Sequence, residues 1–199
     1  MNILLVLGHP ALDSFNHAIA DECYEALVSA GHIVWYHDLY AEGFDPTLQS
    51  AEVPRDVSLD EVVQRHCAQL EAADGIVIVH PNWWGQPPAI LKGWVDRVFR
   101  PGVAYRFDEG DSGEGIPAGL LRAKVAVVFN TGNTSLARER DIFGDPLDGL
   151  WRDCIFGLCG VPDVKRLLFT VVVTSTLEER KDWLRRTREL VVDAFPPGA

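Results

Sequence analysis

The chain has 199 residues, 47% of them hydrophobic and 24% charged, with 29 acidic against 18 basic side chains and a formal charge of -11. This mix excludes disordered, collagen-like and coiled-coil classes, and the negative field repels phosphate backbones and anionic bilayers, so nucleic acid is not an expected partner. No apolar run approaches the ~18 residues a membrane helix needs, so no membrane insertion is expected. Met1–Gly8 lacks the basic start and cleavage region of a signal peptide, which favours a cytoplasmic location.

In chain order, the pattern predicts a strand at Ile3–Leu7, a helix at Phe15–Ala30 stopped by Gly31, and a strand at Ile33–His37. Ala41–Val57 resists regular assignment. A helix follows at Leu59–Ala72, with Ser58 and Glu61 in the spacing of a capping box. Next come a strand at Ile76–His80 and a helix at Pro88–Phe99, where Pro88 suits a first turn. Pro101–Gly119 is punctuated by Gly and Pro and carries Asp108, Glu109, Asp111 and Glu114; a stretch this irregular more often serves a site or an interface than nothing. Strands at Val125–Asn130 and Leu167–Val173 then alternate with helices at Leu147–Cys159 and Leu177–Phe195.

Strands apolar at nearly every position need cover on both faces, which a parallel sheet between helical layers provides. The expectation is therefore an α/β three-layer sandwich. Cys23, Cys67, Cys154 and Cys159 show no CxxC spacing and read as buried reduced thiols, so no metal is expected. His32 and His37 fall on opposite faces of their strand and do not form a metal pair.

Candidate chemistry gathers where strands end. After the first strand, His9, Ser14 and Asn16 precede or open a helix whose first N–H groups attract an anion, so a phosphate is expected there. Neither GxGxxG nor GxxxxGK[ST] is present, which disfavours a dinucleotide-binding Rossmann site and a P-loop. After the third strand, Pro81-Asn82-Trp83-Trp84-Gly85 places two tryptophans whose side chains diverge; one is expected to line a cleft against a flat aromatic ligand, while Trp94 reads as core. After the fourth strand, Thr131-Gly132-Asn133 is another small polar turn on the same rim. His80 reads as a satisfied strand-end histidine rather than a catalytic one.

The segments GHPALDSFNHA, DLYAEGFDP, HPNWWGQPPAILKGWVDRVFRPGVAY and NTGN, in this order and spacing, resemble the flavodoxin-like NAD(P)H:quinone oxidoreductase family, which includes the ancillary reductases of bacterial potassium-efflux systems. The resemblance implies one flavodoxin-like domain over residues 1–199, with a five-stranded parallel sheet in the order 2-1-3-4-5. It implies a flavin held by His9, Ser14, Phe15 and Asn16 at its phosphate and ribityl end, by Pro81, Asn82, Trp83 and Trp84 along its ring, and by Thr131, Gly132 and Asn133 near its pyrimidine end. It also implies a ping-pong transfer, in which a hydride passes from NAD(P)H to the flavin and the acceptor then takes both electrons. The short Phe44–Ser58 region favours FMN over FAD. The Tyr and His that some relatives carry near the flavin are absent from Thr134–Phe143, where Arg138, Glu139 and Arg140 stand instead, so no catalytic residue is assigned. Family habit implies a homodimer with Pro101–Gly119 near a shared cleft. The other readings are a flavodoxin-type electron carrier, disfavoured because Ser14 is the one hydroxyl between Gly8 and Asn16, and a regulatory subunit associating peripherally with a potassium-efflux transporter.

Overall fold

The computed structural model describes residues 1–54, 57–108 and 115–198. Five parallel strands form the central sheet: β1 (Asn2–Leu7), β2 (Ile33–Asp38), β3 (Gly75–Pro81), β6 (Val125–Gly132) and β7 (Asp163–Thr170). Between them in sequence, β4 (Tyr105–Arg106) and β5 (Ala118–Gly119) pair antiparallel as a separate ribbon. The order across the sheet is β2-β1-β3-β6-β7. It differs from the expected 2-1-3-4-5 because the ribbon inserts two strands into the chain count. Too short to carry hydrophobic periodicity, they fall inside the Pro101–Gly119 stretch that reads as irregular. Glu109, Asp111 and Glu114 lie outside the described residues.

The continuous apolar runs are explained by alternation. Ile3, Leu5 and Leu7 of β1, with Val77, Val79, Val127 and Phe129, face α1 (Phe15–Ser29) and α6 (Leu177–Ala194). Leu4 and Val6, with Ile76, Ile78, Ala126 and Val128, face α2 (Glu61–Ala72), α3 (Ala89–Val98) and the helical segment around Trp151. Successive strand side chains point to opposite faces, so a strand covered twice must be apolar throughout. Each buried Leu, Ile or Val contributes about 1.5–3 kcal/mol, and the two faces together hold the three layers.

Local signals explain the element ends, with corrections. Ser14 caps α1 by accepting the His17 N–H at 3.3 Å, and Gly31 at φ +83° turns the chain after the helix. Asp60, not Ser58, caps α2: its Oδ1 accepts the Val63 N–H at 2.9 Å, so the expected Ser58–Glu61 box is replaced by a cap two residues later. The helix expected over Leu147–Cys159 divides into α5 (Pro146–Gly149) and a π-helix over Leu150–Gly157. A short α4 (Leu136–Asp141), capped by Ser135, lies where no helix is expected. Cys154 is exposed, unlike the three other thiols, because it falls on the outer face of the π-helix.

The irregular stretch expected over Ala41–Val57 is pinned at Asp45 and Glu52. Buried Arg97 of α3 bonds both Glu52 carboxylate oxygens, at 2.9 and 2.5 Å, as well as Asp60 Oδ2 and the Asp45 carbonyl. Gly93 allows this approach, since a Cβ there would stand 2.1 Å from the Pro46 carbonyl oxygen. No helix among the described residues is long and apolar enough to cross a membrane.

Candidate functional site

The carboxyl ends of β1, β3 and β6 open into a two-lobed cleft. The first lobe, about 360 Å³, is lined by the loop before α1, the turn after β3 and the turn after β6. Every expected site residue except Trp84 lines it: His9, Ser14, Phe15, Asn16, Pro81, Asn82, Trp83, Thr131, Gly132 and Asn133. The second, about 510 Å³, shares Asn82, Gly132 and Asn133 with the first and adds Trp84, Phe143, Pro146 and Leu168 as apolar walls, with Arg138 and Glu139 as its charges.

In the first lobe the helix start supplies donors. Among the described residues, the Phe15 and Asn16 N–H groups of the first turn have no protein acceptor, as helix geometry dictates. The Asn16 side chain is buried and already engaged. Its Nδ2 donates to Thr131 Oγ1 at 2.9 Å and its Oδ1 accepts from the same hydroxyl at 3.2 Å, so it ties the β6 end to α1 and offers the cleft its backbone. His9 Nδ1 accepts the Ala11 N–H at 3.1 Å, and partial burial draws its pKa below the usual value, leaving a neutral ring with the other nitrogen as donor.

Two residues here escape the sequence reading. His17 lies 2.8 Å from Ser14 Oγ through Nδ1 and 3.0 Å from Asp38 Oδ2 through Nε2. This chain of contacts ties the Ser14 cap of α1 to the end of β2. The signal lay in the spacing: His17 is one helical turn after Ser14, and Asp38 ends β2 on the same rim.

The Trp83–Gln86 turn closes on reciprocal backbone bonds of 3.1 and 3.0 Å. Its central residues, Trp84 at φ +57° and Gly85 at φ +70°, form a two-residue turn of the primed kind. Glycine suits the second position; Trp84 is strained at the first, and its side chain is wholly exposed at the lip of the second lobe. Asn82 braces this turn from below, accepting the Gly85 N–H at 2.9 Å and donating to Glu139 Oε1 at 2.7 Å. Glu139 is 4% exposed although it sits in a charged run, and spacing in that run gives no sign that one member faces inward. Trp83 stays with the first lobe, its ring 6.1 Å from that of His9.

Beneath the cleft, His80 is fully buried. Its Nδ1 donates to the Pro81 carbonyl at 2.8 Å, and its Nε2 lies 2.9 Å from both Trp151 Nε1 and Asn130 Nδ2. Burial pushes its pKa down to about 3, so it is neutral and satisfied rather than a proton carrier. Trp94 is fully buried in the core.

Away from the cleft, His37, Glu42 and His66 converge closely enough to raise the question of a metal. Hydrogen bonding answers it. Trp94 donates to His66 Nδ1 at 2.9 Å, which puts the His66 proton on Nε2, where it meets Glu42 Oε2 at 3.2 Å. That nitrogen has no lone pair left for a cation, and the trio is a satisfied network. Burial alone would raise the Glu42 carboxyl, but the bonds from His37 and His66 hold it at about 2. His32 belongs elsewhere, bonded to the Phe195 carbonyl.

Comparison with known proteins agrees with this architecture. A family model described as flavodoxin-like fold matches residues 1–190. An uncharacterised NAD(P)H oxidoreductase of Haemophilus influenzae is 33% identical over 174 residues, covering 85% of this chain and 83% of that protein. Smu.1420 of Streptococcus mutans superposes with a TM-score of 0.84 at 31% identity, over 97% of this chain and all of that one. The NAD(P)H:quinone oxidoreductase of Methanothermobacter marburgensis gives 0.79 at 25% identity, over 96% and 95%. With a five-stranded parallel sheet and a rim of three polar turns to match, the chain belongs to the flavodoxin-like family of NAD(P)H oxidoreductases and quinone reductases.

Proposed function

We propose that the chain, acting as one domain over residues 1–199, transfers a hydride from NAD(P)H through bound FMN to a quinone or similar flat acceptor. The observation that carries this reading is the continuous cleft, with unpartnered helix-start donors in one lobe and flat apolar walls in the other. The donor chemistry fits a flavin: N–H groups and a hydroxyl suit a phosphate, and Trp84 and Phe143 suit a ring. FMN is favoured over FAD because the phosphate-suited donors sit at a single helix start and the Phe44–Ser58 region is short.

Bound there, a flavin would supply two-electron chemistry between NAD(P)H and the acceptor. The protein's part is placement and charge. Ser14 and the Phe15 and Asn16 N–H groups would bind the phosphate, Thr131–Asn133 donors would offset negative charge at the pyrimidine edge, and Phe143 and Leu168 would wall the acceptor space, with Trp84 at its lip. We further propose a symmetric homodimer. Ile116, 95% exposed beside β5, and exposed Trp84 and Phe143 at the cleft mouth support it.

The absorption spectrum of the purified protein, with the released flavin identified by mass, tests the cofactor. Parallel initial-rate lines with NAD(P)H and a quinone support the alternating mechanism; intersecting lines overturn it. Sedimentation of the flavin-loaded protein as a monomer overturns the dimer.

A further inference from the structure

Quinone reduction consumes a hydride and a proton, so the reading above requires a proton source as well as an electron source. Among the described residues lining the two lobes, His9 and Glu139 are the side chains with an imidazole or carboxyl group that can carry a removable proton; Arg138 is permanently charged. His9 belongs to the phosphate lobe, beside Trp83. Glu139 belongs to the ring lobe, where the acceptor is reduced.

The surroundings of Glu139 fix where its proton sits. Asn82 cannot turn over, because its Oδ1 holds the Gly85 N–H of the strained turn. Its amide nitrogen therefore always donates to Glu139 Oε1. A proton on this carboxyl must occupy Oε2, which is neither hydrogen bonded nor shut away from the cleft among the described residues. Among the described residues no ion pair anchors the carboxylate. On its own helix stand Arg138, held over the Phe143 ring at 5.5 Å, and Arg140 and Asp141. The following loop brings Asp145, whose charge is met by Arg166 of β7 at 2.8 Å. The turn after β3 and the end of β6 bring no ionisable group to this lobe.

Resting on the proposed quinone reductase activity, we propose that Glu139 is the proton-carrying residue of this cleft. It takes a proton from water on Oε2 when negative charge arrives in the ring lobe, because two like charges in one partly dry site disfavour each other. It gives that proton to one acceptor oxygen as the hydride reaches the acceptor. The acceptor gains two electrons and two protons, the Glu139 O–H bond breaks, and the carboxylate is recharged through the open mouth of the lobe.

The test counts protons. Flavin-loaded wild type and Glu139→Gln are photoreduced without oxygen in weak buffer with a pH indicator between pH 6 and 8. Gln keeps the acceptor for Asn82, so the variant is expected to retain flavin within about twofold while binding one proton fewer per two electrons. Its kcat/KM for the quinone is expected to fall about a hundredfold and to lose one limb of the pH profile. A second measurement needs no variant: the infrared difference spectrum of wild type on reduction should show a new protonated-carboxyl band. Equal proton counts, or the absence of that band, overturn the proposal while leaving flavin binding intact. A wild type that holds no flavin overturns the underlying activity, and this inference with it.

Discussion

The two lobes of the cleft are built by different means. The phosphate lobe is made of backbone donors and short polar side chains at strand ends, and it inherits its geometry from the sheet: once β1, β3 and β6 align, their turns meet. The ring lobe is made of side chains from separate places, Trp84 from a strained turn, Glu139 and Phe143 from α4 and the loop after it, and Leu168 from β7. A fold can specify the first almost alone, whereas the second depends on which side chains a particular chain sends inward.

That contrast can be broken most forcefully in the phosphate lobe. Replacing Ser14 and Asn16 together by Ala is expected to weaken flavin binding by about 3–5 kcal/mol, a hundredfold or more, since one change removes a bond to a charged group and the other cuts the Asn16–Thr131 tie. Unchanged affinity, measured by fluorescence titration, would show that the helix start does not hold the ligand.

The floor shared by both lobes gives the next largest effect. His80 has its pKa lowered from 6.5 to about 3, so below pH 6.5 the unfolded chain binds a proton that the folded chain refuses. Stability is therefore expected to fall as pH drops from about 6.5 towards 3, by up to about 1.4 kcal/mol per unit from this residue. Urea unfolding across that range should show the slope, and His80→Gln should flatten it. An equal slope in both proteins would assign the acid sensitivity elsewhere.

The smallest effect separates the lobes most finely. Trp84→Gly relieves a left-handed residue and is expected to stabilise the fold by about 1 kcal/mol while changing acceptor kinetics several-fold and sparing flavin retention. Trp83→Ala, on the other side of the same turn, should disturb flavin retention more than acceptor fit. Identical behaviour of the two variants in thermal melts and steady-state assays would erase the distinction between the lobes.

The same contrast explains what the sequence made legible. Covered strands announce themselves by unbroken apolar runs such as Ile76–Val79, and the phosphate lobe follows from strand ends plus a helix cap, so both could be anticipated. The β4–β5 ribbon could not, because two-residue strands have no period to detect. Nor could the buried side of Glu139: Arg138 and Arg140 on either side look alike in sequence, and only the rotation of a six-residue helix decides which charge turns inward. Asp60 displaced Ser58 as a cap because both are good caps, and the position of Val63 in the core chose between them.

The outward Trp84 also gives the protein an optical handle. Trp94 and Trp151 are sealed in the core, while Trp84 stands wholly in water at the lip of the ring lobe. Its emission should lie to the red of theirs and be the first extinguished by iodide. A flat molecule settling into that lobe would shield it, so the quenchable red fraction of the fluorescence reports occupancy of the acceptor space without any label.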